Sequence, residues 1–315
     1  MEHKERLGIV IPYYNAKNYI VKVVEKAVLF SNYIVIVNDC SPDDIPLKLL
    51  SNFKEVHIVS TEKNLGVGGA TKLGFLYLES IKQVEVILKL DADDQMDTTF
   101  IPELINPILC NKAKFVKGNR FRDFKALKTM PFVRRFGNLF LSFLSKLATG
   151  YWNCFDFNNG FFAISKSTLK NIDKALLSNN YFFETSLIGE LYFQKAIIKE
   201  VAMPAIYGNE KSNMNVIKMP FLFSINLFKK FIRRIIKTYF IYDFNIGTIY
   251  LLFGFPMFLS GIIFGGYYWW YYSKDGLLAP LGTIMISSLL IILGFQLLLQ
   301  AIQFDIMNTP TNNNE

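Results

Sequence analysis

Charge is missing from two long stretches of this 315-residue chain: no Asp, Glu, Lys or Arg occurs from Ile246 to Tyr272 or from Gly276 to Phe304. Each run exceeds the roughly 20 apolar residues that cross a bilayer as a helix. Both are expected to be transmembrane helices; the other reading, two buried core helices, asks for shorter segments with a polar face. Cysteine is almost as scarce. Cys40, Cys110 and Cys154 show no CxxC or other ligand spacing, which leaves free thiols suited to a reducing compartment. A secretory signal is lacking too, because residues 1–6 are polar and the apolar run behind them stops at Pro12. The N-terminal portion is therefore expected to stay on the side of the membrane where it is made. No internal repeat occurs, and no nucleic-acid motif accompanies the net charge of +8. Much of that excess sits in Lys229, Lys230, Arg233, Arg234 and Lys237, so anionic lipid headgroups are the expected partner and nucleic acid is not. The loop between the apolar runs holds only Lys274 and Asp275 as charges. The positive-inside rule then places the N-terminal domain and the C-terminus in the cytoplasm of an integral membrane protein of the cell membrane.

What is present divides the chain in four. A mean hydropathy of +0.26 fits one soluble domain with a membrane appendage. The expected parts are a catalytic domain at 1–215, juxtamembrane amphipathic helices at 216–243, a two-helix transmembrane hairpin at 244–306 and a polar tail at 307–315. Apolar runs at Leu7 to Ile11, Tyr33 to Val37, Val56 to Val59 and Val86 to Leu90 read as strands, and the segments between them have helical length. That alternation predicts an α/β domain with a mostly parallel sheet covered by helices on both faces. Between Met219 and Tyr239, Phe221, Ile225, Phe228, Ile232, Ile235, Ile236 and Tyr239 share one face of a helical wheel with the basic residues opposite. Such a helix lies on a membrane surface or packs on the domain. In the apolar runs, Gly261 and Gly265 form a GxxxG pair, and Gln296, Gln300 and Gln303 form a polar stripe. Both suit a helix hairpin or a homo-oligomer seam.

In a parallel sheet the ligand sits beyond the carboxyl ends of the strands. Tyr14 and Asn15, Asp39, and the segment Asp91-Ala92-Asp93-Asp94-Gln95 all fall there. Carboxylates and an amide at a strand tip are the oxygen ligands by which a protein holds Mg2+ or Mn2+ against a diphosphate, so Asp91, Asp93 and Gln95 are the candidate metal ligands. Asn64 to Ala70 is glycine-rich, yet Thr71 stands where a dinucleotide fingerprint needs its third glycine. Its small residues either let backbone approach a ligand, pack closely on a helix or make a plain turn. The first strand also lacks a glycine-rich triphosphate loop, which counts against a nucleotidyltransferase.

These segments together resemble the family 2 glycosyltransferases of the polyprenyl-phosphate sugar transferase type, which include dolichol-phosphate mannose synthase and bacterial undecaprenyl-phosphate glucosyltransferases. The resemblance runs through Pro12-Tyr13-Tyr14-Asn15, Asn38-Asp39-Cys40-Ser41-Pro42-Asp43, Asn64 to Ala70, Asp91 to Gln95, Gly118-Asn119-Arg120, Met130 to Asn138 and Asp156 to Phe161. It implies a GT-A-type fold and inverting transfer of a hexose from a UDP- or GDP-sugar to a polyprenyl phosphate, feeding cell-surface polysaccharide. It further implies donor contacts from Pro12, Tyr14, Asn15, Asp39, Gly68, Asp91 and Asp94. Arg120, Arg134 or Arg135, Asn138 and Lys211 are the implied acceptor-phosphate contacts, and Asp93 with Asp156 or Glu184 the implied catalytic acids. Two departures stand out: the family's paired acids are here Asn38-Asp39, and its usual R-x-x-G-x-S-K run is replaced by Tyr207 to Ser212. Transfer to a hydroxyl of a lipid-linked saccharide, and a membrane scaffold that keeps the fold without catalysis, are the alternatives.

Overall fold

Short apolar runs form seven strands: β1 (Leu7–Tyr13), β2 (Tyr33–Asn38), β3 (Val56–Ser60), β4 (Val86–Lys89), β5 (Phe115–Asn119), β6 (Phe162–Ser165) and β7 (Ile198–Ala202). In this computed structural model, which describes residues 3–122, 132–204 and 218–311, they build one sheet in the order β3-β2-β1-β4-β6-β5-β7. β1 to β4 run parallel, β5 runs parallel to β7, and β6 alone is antiparallel to both its neighbours. The helices are α1 (Ile20–Ala27), α2 (Leu47–Leu50), α3 (Gly66–Ser80), α4 (Ile101–Leu109), α5 (Phe132–Thr149), α6 (Lys166–Lys170), α7 (Phe183–Leu191), α8 (Lys218–Ile235), α9 (Ile246–Lys274) and α10 (Leu281–Met307).

Strand alternation sorts the core into two layers. Ile9, Ile11, Ile34, Ile36 and Leu88 pack under α1 and α4, while Val10, Val35, Val37, Ile87 and Phe162 pack under α3 and α7. Each such side chain, fully buried, contributes about 1.5–3 kcal/mol. Because both faces are covered, the strand ends carry the exposed polar chemistry. The four sequence-predicted strands all appear.

The chain divides into two compact units, one of residues 1–231 and 310–315 and one of Ile232–Thr309, so the segment expected as juxtamembrane helices at 216–243 is shared between them. The reason is that α8 is bound into the first unit, where Phe223 and Leu227 form a cluster with Phe182 and Ala148. Residues 205–217 and the end of the polar tail lie outside the described residues.

The second unit contains α9 and α10, two helices long and apolar enough to cross a membrane. Glycines bring them together: a Cβ on Gly261 would fall 2.8 Å from the backbone nitrogen of Ile291, and one on Gly265 3.1 Å from the Ser287 Cβ. The GxxxG pair thus serves the hairpin. Gln296 and Gln303 are exposed and take no part in that seam.

Between the end of α8 and α9 the helix widens into a π segment, Ile236–Tyr242. A π turn shifts the side-chain phase, so Tyr239 leaves the apolar face predicted on an ideal wheel and turns inward. It is buried, and its hydroxyl donates to Asp305 at 2.7 Å. The Arg234 guanidinium donates to both oxygens of the same carboxylate, at 2.6 and 3.0 Å. Arg234→Met would leave a buried carboxylate without its cation and is expected to destabilise the second unit by about 3–5 kcal/mol. Unfolding of the full chain in micelles measures this, and adding Asp305→Asn should restore most of the loss.

Candidate active site

The strand tips are held in place by local backbone chemistry. Asn15 after β1 and Cys40 after β2 adopt left-handed φ of 53° and 52°. That turns the two tips toward each other, where the Asn15 N–H donates to the Ser41 hydroxyl at 2.6 Å and the Lys17 N–H to Asp43 at 2.8 Å. Ser41 in turn bonds Asp43. Pro12, one residue before the end of β1, is half-buried, and Tyr14 stands 51% exposed beyond the strand. Asp39, by contrast, is buried, and its two oxygens accept from the Leu65 and Gly66 N–H groups at 2.7 and 2.8 Å. It anchors the start of α3, where its negative charge suits unpaired N–H groups.

The glycine loop is used internally. Gly66 has φ +80°, and a Cβ there would fall 2.6 Å from the Asn179 carbonyl oxygen. The Gly68 N–H, expected at the donor, instead donates to Asn179 O at 2.8 Å. Close packing against the loop before α7 is therefore the reason for the small residues.

Beyond β4 a cavity of about 180 Å³ opens, lined among others by Asp91, Asp93, Gln95, Arg120, Asn159 and Gly160. Asp93 accepts the Gln95 N–H at 3.1 Å, a turn that keeps both at the rim. Asp94, expected beside the donor, does not line this cavity. Its left-handed φ of 59° aims it at α1, where it meets Lys22 at 2.6 Å and Lys26 at 2.5 Å. Burial alone would raise its carboxyl, but the two lysines outweigh that and hold it below the usual range.

Asp91 is set by a residue that sequence reasoning passed over. Lys89, the last residue of β4, is buried; its ammonium lies 2.5 Å from Asp91 and 3.3 Å from Glu184 in the first turn of α7. Burial would lower the Lys89 pKa, yet the two carboxylates outweigh it and push it up to about 12, so it keeps its proton at neutral pH. Gly160 makes room for this pair: a Cβ there would meet the Lys89 nitrogen at 2.6 Å and Asp91 Oδ2 at 2.8 Å. A lysine inside an otherwise apolar strand was the available signal.

Arg120 follows β5 and reaches the same cavity. Its guanidinium binds the buried Asp156 through Nε at 2.9 Å and Nη2 at 3.0 Å, and its own N–H donates to Asp156 at 3.1 Å. Neither Asp156 nor Glu184 lines the cavity. Both acids expected at the acceptor are instead committed to cations, Asp156 to Arg120 and Glu184 to Lys89. Behind them stands Glu200 on β7, which no motif signalled. It accepts from the Phe155 N–H at 2.8 Å, the Asp156 N–H at 3.2 Å and the Asn119 amide at 2.6 Å, fixing the loop that holds Asp156. Arg134, Arg135 and Asn138 fall on the first two turns of α5, whereas Lys211 lies outside the described residues.

The sheet, with its strand-end carboxylates, has the GT-A arrangement. Residues 8–173 match glycosyl transferase family 2, and the chain belongs to that family. It is a glycosyltransferase. It is 31% identical over 217 residues to the UDP-N-acetylglucosamine–dolichyl-phosphate N-acetylglucosaminyltransferase of Methanococcus voltae, covering 63% of this chain and 85% of that one. An uncharacterised protein of Methanocaldococcus jannaschii is 28% identical over 207 residues, covering 65% and 83%. Among solved structures, glucosyl-3-phosphoglycerate synthase from Mycobacterium tuberculosis with uridine diphosphate superposes with a TM-score of 0.56 at 16% identity, covering 71% of this chain and 79% of that one. The same enzyme with Mn2+, uridine diphosphate and phosphoglyceric acid gives 0.53 at 15%, covering 73% and 78%. At such identity these likenesses speak for the fold alone.

Proposed function

We propose that the chain transfers one hexose or N-acetylhexosamine from a UDP- or GDP-sugar to a polyprenyl phosphate at the cytoplasmic face of the membrane. The observation that carries the choice of acceptor is the engagement of Asp156 and Glu184 by Arg120 and Lys89. A sugar hydroxyl needs a general base within reach. A phosphate monoester is already ionised near neutral pH, with a second pKa of about 6, and needs none. The Methanococcus voltae relative, named for dolichyl phosphate, supports the same acceptor class.

Asp91, Asp93 and Gln95 offer oxygen ligands only, which fits Mg2+ or Mn2+. Among the described residues no three His, Cys, Asp or Glu side chains converge into a cage. An ion there would be held by one or two carboxylates and completed by diphosphate oxygens. Bound there, the ion would neutralise charge on the departing nucleoside diphosphate. Tyr14 and the loop at Asn15 are assigned to the nucleoside, with Asp39 acting through α3. Arg120, pinned by Asp156, faces the acceptor phosphate with part of its guanidinium fork. An acceptor oxygen attacks the anomeric carbon as that carbon's bond to the diphosphate oxygen breaks. Configuration inverts and no proton moves. Arg134 or Arg135, Asn138 and Lys211 remain assigned to the acceptor phosphate, and the product would feed surface glycan assembly.

Membranes bearing the protein, incubated with undecaprenyl phosphate, Mn2+ or Mg2+ and labelled UDP- or GDP-sugars, test this reading. Label in organic-extractable lipid from one donor is expected; folded, nucleotide-binding protein that labels no lipid phosphate would overturn it. Arg120→Ala should raise KM for the lipid phosphate roughly 10- to 100-fold, the loss of a charged hydrogen bond, with donor KM little changed.

A further inference from the structure

Asn159 lines the cavity beyond β4, yet none of the donor or acceptor contacts assigned above uses it. It is 4% exposed. Its Oδ1 accepts the Phe161 N–H at 3.0 Å, a turn that an aspartate makes equally well. The turn therefore does not explain the amide. With Oδ1 held, the NH2 group faces the other way, and among the described residues its sole partner is the Met203 sulfur at 3.8 Å. A thioether is a weak acceptor, so two buried N–H donors are left short of partners, which in a native fold calls for an explanation. Gly118 keeps the space around them clear, since a Cβ there would fall 2.6 Å from the Asn159 nitrogen. The adjacent Asn158 has a different use: it is exposed, and its Oδ1 accepts the Thr185 hydroxyl of α7 at 3.1 Å.

We propose that Asn159 is a specificity-determining residue that donates a hydrogen bond to an oxygen substituent of the transferred sugar, either a ring hydroxyl or an acetamido carbonyl. Its position follows from the two substrates. A diphosphate held through Asp91 and Asp93 and an acceptor phosphate held by Arg120 leave the sugar between them. Asn159 stands on that path, one residue before the Gly160 that makes room for Asp91 and three after the Asp156 that holds Arg120. A sugar oxygen supplies the acceptor that sulfur supplies poorly. Met96, Phe100 and Met203 add apolar surface to the same cavity, suited to the C–H bonds of a sugar ring. A site built around a buried donor rejects a substrate that lacks the matching oxygen, because the N–H group is then left unpaired. The inference rests on the nucleotide-sugar reading of the cavity and names the residue that reads the sugar.

The full chain in micelles, with Mn2+ present, is titrated by calorimetry with UDP, UDP-glucose, UDP-N-acetylglucosamine and their monodeoxy analogues, and with the corresponding GDP series. In the wild type, removal of one particular oxygen, or of the acetamido group, should weaken binding about tenfold, the loss of one hydrogen bond. Asn159→Ala deletes the amide, and Asn159→Asp deletes only the donor while keeping the bond to the Phe161 N–H. In both variants that same removal should change affinity by less than about twofold, and Asn159→Ala should bind the free nucleotide within about threefold of wild type. The proposal is overturned if no removal weakens the wild type, or if every removal costs both variants as much as it costs the wild type. Equal losses of free nucleotide and sugar nucleotide in Asn159→Ala also overturn it, since Asn159 would then serve the loop alone. Failure of the underlying reading looks different. Folded protein that binds neither nucleotide removes the donor, and Asn159 with it, whereas an Asn159-dependent penalty in protein that labels no lipid phosphate removes the acceptor alone.

Discussion

Asp93→Asn is expected to lower sugar transfer by about 10²- to 10³-fold without unfolding the protein. Asp93 sits half-exposed at the cavity rim, and its Oδ1 accepts the Gln95 N–H. An asparagine carbonyl can accept the same bond, so the turn survives while the charge is lost. In the proposed mechanism that charge holds the cation against the diphosphate, and the loss falls on the transition state, where negative charge on the leaving group grows. A fall in kcat together with weaker Mn2+-dependent binding of UDP in calorimetry is the expected pair of results. Retention of more than a tenth of wild-type kcat, or unchanged Mn2+-dependent binding, would remove Asp93 from the site.

Lys89→Met is expected to cost both stability and activity. It deletes the cation shared by Asp91 and Glu184 and leaves the buried Glu184 carboxylate uncompensated, a change worth about 3–5 kcal/mol. Adding Glu184→Gln removes that stranded charge, and the double variant should recover most of the melting temperature. Transfer should stay low in both variants, since the cation that fixes the Asp91 carboxylate beside Gly160 is then gone. Recovery of activity along with stability would make Lys89 a purely structural residue. Because the Lys89 pKa stands at about 12, above its usual value, this contribution is fully present at neutral pH and fades only as pH rises through about 12. No loss of activity between pH 6 and 9 is traced to it.

Local features were the legible ones. Strands β1 to β4 announce themselves as apolar runs, and Asp91, Asp93 and Gln95 are placed by the strand ahead of them. Asp39 and Asp94 were read at strand ends and Gly68 in the glycine-rich segment, but the direction of their groups depends on partners far along the chain. Gly68 answers to Asn179, and Asp94 to Lys22 and Lys26. Lys89 was hidden by reading its strand as uniformly hydrophobic. Glu200 joins Asn119 from 81 positions away, and only the β5–β7 pairing brings the two together.

The single reversed strand has a consequence for how such a site can diversify. The loops after β1, β2, β4 and β5 leave the sheet at one rim, whereas the loop carrying Asp156 to Gly160 enters the sheet there, as the lead-in to β6. The rim is thus made of departing segments, one of which carries Arg120, and of one arriving segment, which holds Arg120 through Asp156. The incoming loop is anchored by Glu200 and by β6, which pairs with both β4 and β5. Its Asp156 end is tied to Arg120 and its Gly160 end to the Lys89–Asp91 pair, so a change in this one loop reaches both sides of the cavity at once.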